Sequence, residues 1–422
     1  MIMTFRIATL IAASLISIGS ASADWPQFLG PDGNSIVEAN APLEWSETQN
    51  VKWKTAIHGK AWSSPIVSGD QIWLSTATED GKKLSVIRVD KNTGAVTLDK
   101  KLFDITEPQF CHKFNSYASP TPVIEGDSVY VTFGSPGTAC LDTKTGDVRW
   151  QRTDIECNHF RAAGSSPILH KNLLIMNYDG SDHQFVLALD KETGKTVWNV
   201  KRSIDYDDLE ENGDIKAEGD WRKAYGTPHI ATIHGKTVLL SVGAKAIYGY
   251  NPEDGEEYFR VESRVGHSTS ARPSVVGDLV YYTTGWSKGQ LWAFKVNPDL
   301  SANQDSVTLQ MTRNIPRKPI QIVKGDRIYT VDDSGVASCI DRATGEAIWR
   351  ERIGGNYSSS PLLVGKRLYF PNEEGETIVV AASDKFEILA KNQLESGFMA
   401  SPAVDGDALI LRTKTHLYRI EE

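Results

Sequence analysis

The chain has 422 residues, with 45 Lys and Arg set against 54 Asp and Glu, and a formal net charge of −9. An acidic balance of this kind supplies neither the phosphate neutralisation that nucleic acid demands nor a basic patch for an anionic membrane, so neither partner is expected. The length would ordinarily suggest two or three domains, but a closed ring of repeats holds as many residues in one.

At the N-terminus, Arg6 is followed by an apolar run from Ile7 to Ile18 and by Ala21-Ser22-Ala23 before Asp24. Charge, short apolar stretch and small-x-small site, in that order, read as a secretory signal over residues 1–23, and the run is too short to span a bilayer. No cysteine lies near the cleavage site, so no lipid anchor is expected, and no later run is apolar for long enough to cross a membrane. The expected address is periplasmic or secreted.

Residues 24–49 open with Asp24-Trp25-Pro26-Gln27-Phe28-Leu29-Gly30-Pro31, too rich in Pro and Gly for regular structure, and read as a strap that packs its aromatic side chains on the body that follows. Val51 to Ala56 looks like a fourth strand without the three that should precede it. The unit that explains it is Arg161 to Arg202: four short strands bounded by Gly, Asn and Asp, with no helical period, in an antiparallel meander. One meander cannot bury both faces and must stack on copies of itself. A small-Pro anchor marks the copies at Ser64-Pro65, Thr121-Pro122, Ser166-Pro167, Thr227-Pro228, Arg272-Pro273, Lys318-Pro319, Ser360-Pro361 and Ser401-Pro402, at spacings of 41 to 61 residues.

A second mark, Asp or Asn four residues before Gly, recurs at Asp90/Gly94, Asp142/Gly146, Asp190/Gly194, Asn251/Gly255 and Asp341/Gly345. The side chain can bond the turn backbone while Gly takes a positive φ. Four residues beyond these glycines stand Leu98, Trp150, Trp198, Phe259 and Trp349, read as wedges between neighbouring units. The last anchor is followed by two more strands and the chain stops, so Val51 to Ala56 completes the final unit. The fold predicted is an all-β, eight-bladed propeller of four-stranded antiparallel blades over residues 50–422, its ring closed by an N-terminal strand.

The turns Asp142 to Trp150, Asp190 to Trp198 and Asp341 to Trp349 follow Asp-x-x-Thr-Gly-x-x-x-Trp, which resembles the pyrroloquinoline quinone (PQQ)-type repeat. The chain is similar to the exported PQQ-like propellers of Planctomycetes and relatives in Trp25 to Pro31, Cys157 to Arg161 and Phe398 to Pro402; more distantly it resembles BamB and the quinoprotein alcohol dehydrogenases. The dehydrogenase resemblance would imply PQQ, calcium, an aspartate base and adjacent cysteines over the cofactor. The cysteines here stand at 111, 140, 157 and 339, with no adjacent pair. No cofactor is therefore expected, and PQQ with calcium is kept as the alternative.

Cys140 and Cys339 each precede a turn aspartate by two residues and read as buried core thiols. Cys111 and Cys157 precede successive anchors by similar offsets, on loops entering blades two and three, and in an oxidising compartment are expected to form a disulfide. With His112 and His159 they would otherwise make four zinc ligands, at a spacing that matches no standard finger; no metal is expected there. Asp205, Asp207 and Asp208 could hold calcium in the acidic loop 205–220, against a default of a solvated charge run. No Ser/His/Asp set or phosphate-binding Gly loop stands out.

Strand direction predicts that the long insertions Phe103 to Ser116 and Ser203 to Ala224 share one face and the Asp-x-x-x-Gly turns the other. The loop face should collect His112, Asn115, His159, Arg161, His267, Arg272, Lys318 and Tyr357, a set of donors for an anionic or hydrogen-bond-accepting group, with Arg161 and Arg272 foremost. The null is that these arginines pair only with neighbouring carboxylates. The function expected is a monomeric, non-enzymatic binding or scaffolding module for an envelope protein or small anionic ligand; the alternative is a PQQ-dependent or other cofactor-bearing oxidoreductase.

Overall fold

The computed structural model describes residues 25–422. The secretory signal expected over residues 1–23 lies outside them. Eight antiparallel sheets follow one another around a ring, and each is a meander running outward from a short innermost strand. Blade 1 comprises Ile66–Ser68, Gln71–Ala77, Lys83–Asp90 and Val96–Asp104. Blade 8 takes its three inner strands from the C-terminus and its outermost from Val51–Ala56, which pairs antiparallel with His416–Ile420. Among the described residues no helix is long and apolar enough to cross a membrane.

The turns behave as their residues dictate. Asp90 Oδ1 accepts from the amides of Asn92 and Thr93, and Asp142 and Asp341 repeat the arrangement. Gly94 sits at φ 74°, where a Cβ would also strike the Trp53 ring of the preceding blade at 2.7 Å. That ring locks the blades together: Trp53 Nε1 donates to Lys91 O at 2.8 Å, Trp150 Nε1 to Lys191 O at 2.8 Å, Trp198 Nε1 to Pro252 O at 3.1 Å and Trp349 Nε1 to Ser383 O at 2.9 Å. The wedge reading thus holds, with a hydrogen bond added to the apolar contact.

Around the channel the anchor residues form a collar. The amide of one anchor donates to the hydroxyl of the next: Ser64 to Thr121 (2.9 Å), Thr121 to Ser166 (2.9 Å), Ser166 to Thr227 (3.0 Å), Ile320 to Ser360 (3.3 Å), Ser360 to Ser401 (3.0 Å) and Ser401 back to Ser64 (2.9 Å). The sixth anchor is therefore Ile320-Gln321, two residues beyond the Lys318-Pro319 expected, because Ile320 and not Lys318 precedes its innermost strand by the common offset. The hydroxyl is missing on either side of blade 5, where Arg272 and Ile320 hold the position. There Gln321 crosses the boundary instead, donating to Ser274 Oγ at 3.1 Å and Tyr281 O at 3.3 Å.

The strap enters the channel at blades 1 and 2 and crosses it to blades 5 and 7. Trp25 pairs with Val67 of blade 1 and Pro26 O accepts from Ile124 of blade 2. Ile36–Val37 then adds in parallel to Leu363–Val364 of blade 7. Trp25 and Trp45 are both buried, as the strap reading required.

The expected Cys111–Cys157 bridge is not formed; all four cysteines are free thiols. Cys157 turns inward, 3 % exposed, into the apolar cluster of Tyr178 and Phe185 and up against Gly180, while Cys111 stays on its own loop with Sγ near His112 O. Burial pushes both thiols up, which leaves them unreactive near neutral pH. Matched offsets along the chain place the two loops side by side but do not set the direction of each Cβ.

Two measurements check this architecture. Alkylation of the denatured, unreduced protein should give four adducts by intact mass; two adducts would restore the bridge. Replacing Thr121 by Val leaves the buried Ser64 amide without its acceptor and should destabilise the ring by about 1–3 kcal/mol in urea unfolding, with Thr121→Ser costing less.

Candidate functional site

The anchors enter the channel from one face, which also carries the long insertions. The loop before blade 2 is stretched over the channel. Lys60 Nζ donates to Lys113 O and Trp62 Nε1 to Phe114 O at 3.0 Å, so Phe114 is held out from the ring. Its face stacks on His112 with ring centroids 5.6 Å apart, and Lys318 Nζ, from the side of the ring opposite blade 2, lies 5.7 Å from its centre. Phe110 and Phe114 are 64 % and 57 % exposed, an apolar surface held in the open by polar bonds to the backbone behind it.

Next to this loop is a cationic group. Arg161 makes a single side-chain bond, Nη2 to Asp220 Oδ1 at 3.2 Å, and is one-third exposed. Lys223, fully buried, contacts the same carboxylate and lies 5.1 Å from the Phe160 ring. Burial and the Arg161 charge pull its ammonium down to about 7. His112 and His267 feel the same field: burial and then the charges of Arg161, Lys223 and nearby lysines lower both, His267 to about 4. At neutral pH both imidazoles are neutral donors beside a partly uncompensated positive charge.

The structure therefore brings His112, Arg161 and His267 together and removes the other expected members. Asn115 is consumed in holding the loops, its Nδ2 donating to Arg161 O and Ala162 O at 2.9 and 3.1 Å while Oδ1 accepts from Ser119. His159 is buried, its Nε2 accepting from the Ser135 amide at 3.0 Å. Lys318 reaches the Phe114 ring, but its charge is already paired, with Glu373 at 3.1 Å and Asp333 at 3.7 Å, and it also donates to Ser358. Tyr357 is fully buried and presents nothing to the surface. Arg272 is buried in the channel wall and bound to the strap, because its place in the collar points the side chain inward where a hydroxyl would have sat.

The acidic loop does not gather its carboxylates. Asp208 is 1 % exposed and clamped by Arg222 through two bonds of 2.6 and 2.9 Å, and Asp205 caps the amide of Asp207. Beneath it a fully buried Arg202–Asp179 pair, bonded twice at 2.7 and 2.8 Å and covered by Tyr248, fixes the root of the insertion. Lys223, Phe114, Phe110 and the Arg317–Trp286 stack, 4.4 Å from guanidinium to ring centre, escaped the sequence reading. Their one signal is aromatic residues next to Lys or Arg in segments that carry no strand pattern.

The buried imidazole of His159 generates a pH dependence. Burial lowers it from 6.5 to about 4, and the bond from Ser135 requires the neutral ring. Between those values the unfolded chain binds the extra proton, so stability should fall as pH drops from about 6.5 towards 4, by at most about 1.4 kcal/mol per pH unit from this group. Urea midpoints measured across that range should show the slope, and His159→Gln should reduce it; an unchanged slope in the variant would assign it to other groups.

Comparison with known proteins agrees with the geometry. The chain matches the family described as outer membrane protein assembly factor BamB over residues 40–181 and 182–422. It is 22 % identical over 328 residues to BamB of Yersinia pestis, covering 71 % of this chain and 83 % of that one, and 25 % identical over 270 residues to BamB of Vibrio cholerae, covering 54 % and 66 %. Among solved structures, BamB from Moraxella catarrhalis superposes with a TM-score of 0.60 at 14 % identity, over 88 % of this chain and 99 % of that one. A europium-containing methanol dehydrogenase superposes with 0.54 at 11 % identity, over 94 % and 89 %, a likeness of fold. With both repeat halves matched across nearly the whole described chain, the protein belongs to the BamB family of β-propellers.

Proposed function

We propose that this chain is an exported, non-catalytic binding module that holds a protein of the cell envelope across its loop face. The observation that carries the reading is the pairing of Phe110 and Phe114, both more than half exposed, with Arg161 and its neutral histidine neighbours. Aromatic anchors ringed by cations are the composition of a protein-binding hot spot, where a few side chains carry most of the affinity. The relatives named as outer membrane assembly factors support an envelope partner, and the signal-like N-terminus supports a periplasmic address. The chemistry required of the partner is an apolar side chain for Phe114 and a carboxylate for Arg161.

The oxidoreductase reading has less to support it. A PQQ site needs calcium ligands and a base, and three carboxylates of this face are already engaged by cations: Asp220 by Arg161 and Lys223, Asp333 by Arg317, Glu373 by Lys318. With no adjacent cysteines either, the residues present do not fit that cofactor.

A photo-crosslinking residue placed at Phe110 in cells should capture a defined envelope protein, whereas one at Lys195 on the turn face should not. Phe114→Ala and Arg161→Gln should each weaken that capture about tenfold or more while thermal unfolding stays nearly unchanged. Equal capture from both faces, or capture that survives both substitutions, would contradict the assignment.

A further inference from the structure

The strap does not fill the channel it enters. A cavity of about 480 Å³ remains between strap residues Gln27, Asp32 and Asn34 and the innermost strands of blades 3 to 6, and it opens on the turn face near Thr232 and Gly277. Ligand pockets commonly occupy this size range. This is the face that carries the Asp-x-x-x-Gly turns, and the cavity is separate from the aromatic and cationic group of the loop face.

Two polar side chains on its lining each keep a buried nitrogen without a hydrogen-bond partner. Arg272 is 3 % exposed and pairs with no carboxylate among the described residues. Its Nη1 donates to Phe28 O at 2.9 Å and its Nη2 reaches Gln27 Oε1 only at 3.5 Å, while Nε has no acceptor. His229 lines the same cavity with its Nδ1 buried and unbonded. The burial that lowers the Arg272 guanidinium has no compensating anion, and burial together with the Arg272 charge disfavours a proton on His229. The chain has made room for this arrangement: Gly33 lies so close that a Cβ there would sit 1.9 Å from Arg272 Nη1, and the collar gives up a hydroxyl to place the guanidinium. A buried guanidinium is normally satisfied by an oxyanion bound through two N–H groups.

We propose that the turn-face cavity is a binding site for a small hydroxylated oxyanion, a sugar acid or sugar phosphate in chemical class, whose charged group meets Arg272 and His229 and whose hydroxyls meet Asn34 and Thr232. Asp32, also on the lining, offers a further acceptor to the ligand's hydroxyls.

Calorimetric titration of the purified protein at low ionic strength tests this, with glucuronate and glucose 6-phosphate as probes and glucose as the neutral control. One of the two oxyanions should bind with one-to-one stoichiometry, which distinguishes carboxylate from phosphate, and glucose should not. Arg272→Gln should weaken binding roughly tenfold or more. Thr232→Trp, which narrows the opening and leaves the strap contacts of Arg272 intact, should do the same if Arg272→Gln disturbs folding. Arg161→Gln on the loop face should leave the affinity unchanged. No binding of either oxyanion at millimolar concentration, equal binding of glucose, or full affinity in Thr232→Trp would overturn the proposal.

Discussion

A hydroxyl-to-amide collar around the channel sets the geometry on which the other features depend. At six of the eight junctions the amide two residues before the innermost strand donates to a Ser or Thr hydroxyl supplied by the next blade. A buried amide left unpaired is costly, so each junction fixes the distance and rotation of its neighbour. The tryptophan locks act likewise at the rim, where the Trp53, Trp150 and Trp198 rings fill space beside a turn glycine and, with Trp349, bond the turn backbone. Held at the inside and the outside, a blade has little freedom to tilt. The loops above it can then vary without loss of the ring.

The collar also explains where the ring departs from its own pattern. At blade 5 the hydroxyl is replaced by Arg272, and the strap crosses the channel to meet it. The ring closes elsewhere by a different device: Arg412 of blade 8, buried without a carboxylate, donates to Ser63 O and Ser75 O of blade 1. Burial lowers that guanidinium to about 9, and carbonyl dipoles take the place of a counter-ion. Arg202, by contrast, keeps a full ion pair with Asp179 under the long insertion of blade 4. Three buried arginines thus serve three purposes, and only Arg272 faces open volume.

Periodicity made the ring legible in the sequence. Blade number, strand order and closure by Val51 to Ala56 follow from repeats that differ little from one blade to the next, and the turn and wedge residues do one job at every recurrence. The functional face was legible only in outline. Strand direction placed Arg161, His112 and His267 on one side correctly, since that depends on topology. It could not tell that Asn115 and His159 face inward to bond backbone, that Tyr357 is core, or that Cys157 turns away from Cys111, because those outcomes depend on side-chain direction in irregular loops. The sixth anchor was misread for a related reason: Lys318-Pro319 has the right dipeptide, but the collar recognises offset from the strand. Arg272 shows the converse, a correct register with an unexpected side chain.

If a rigid ring carries adaptable binding loops, the amides of the collar must exchange with solvent only when the whole protein unfolds. Native-state hydrogen exchange followed at Ser64, Thr121, Ser166, Ser360 and Ser401 measures this directly. All five should share the free energy of global unfolding, while amides of loop 108–114 exchange far faster. Faster exchange at any one collar position, through the opening of a single blade junction, would contradict it.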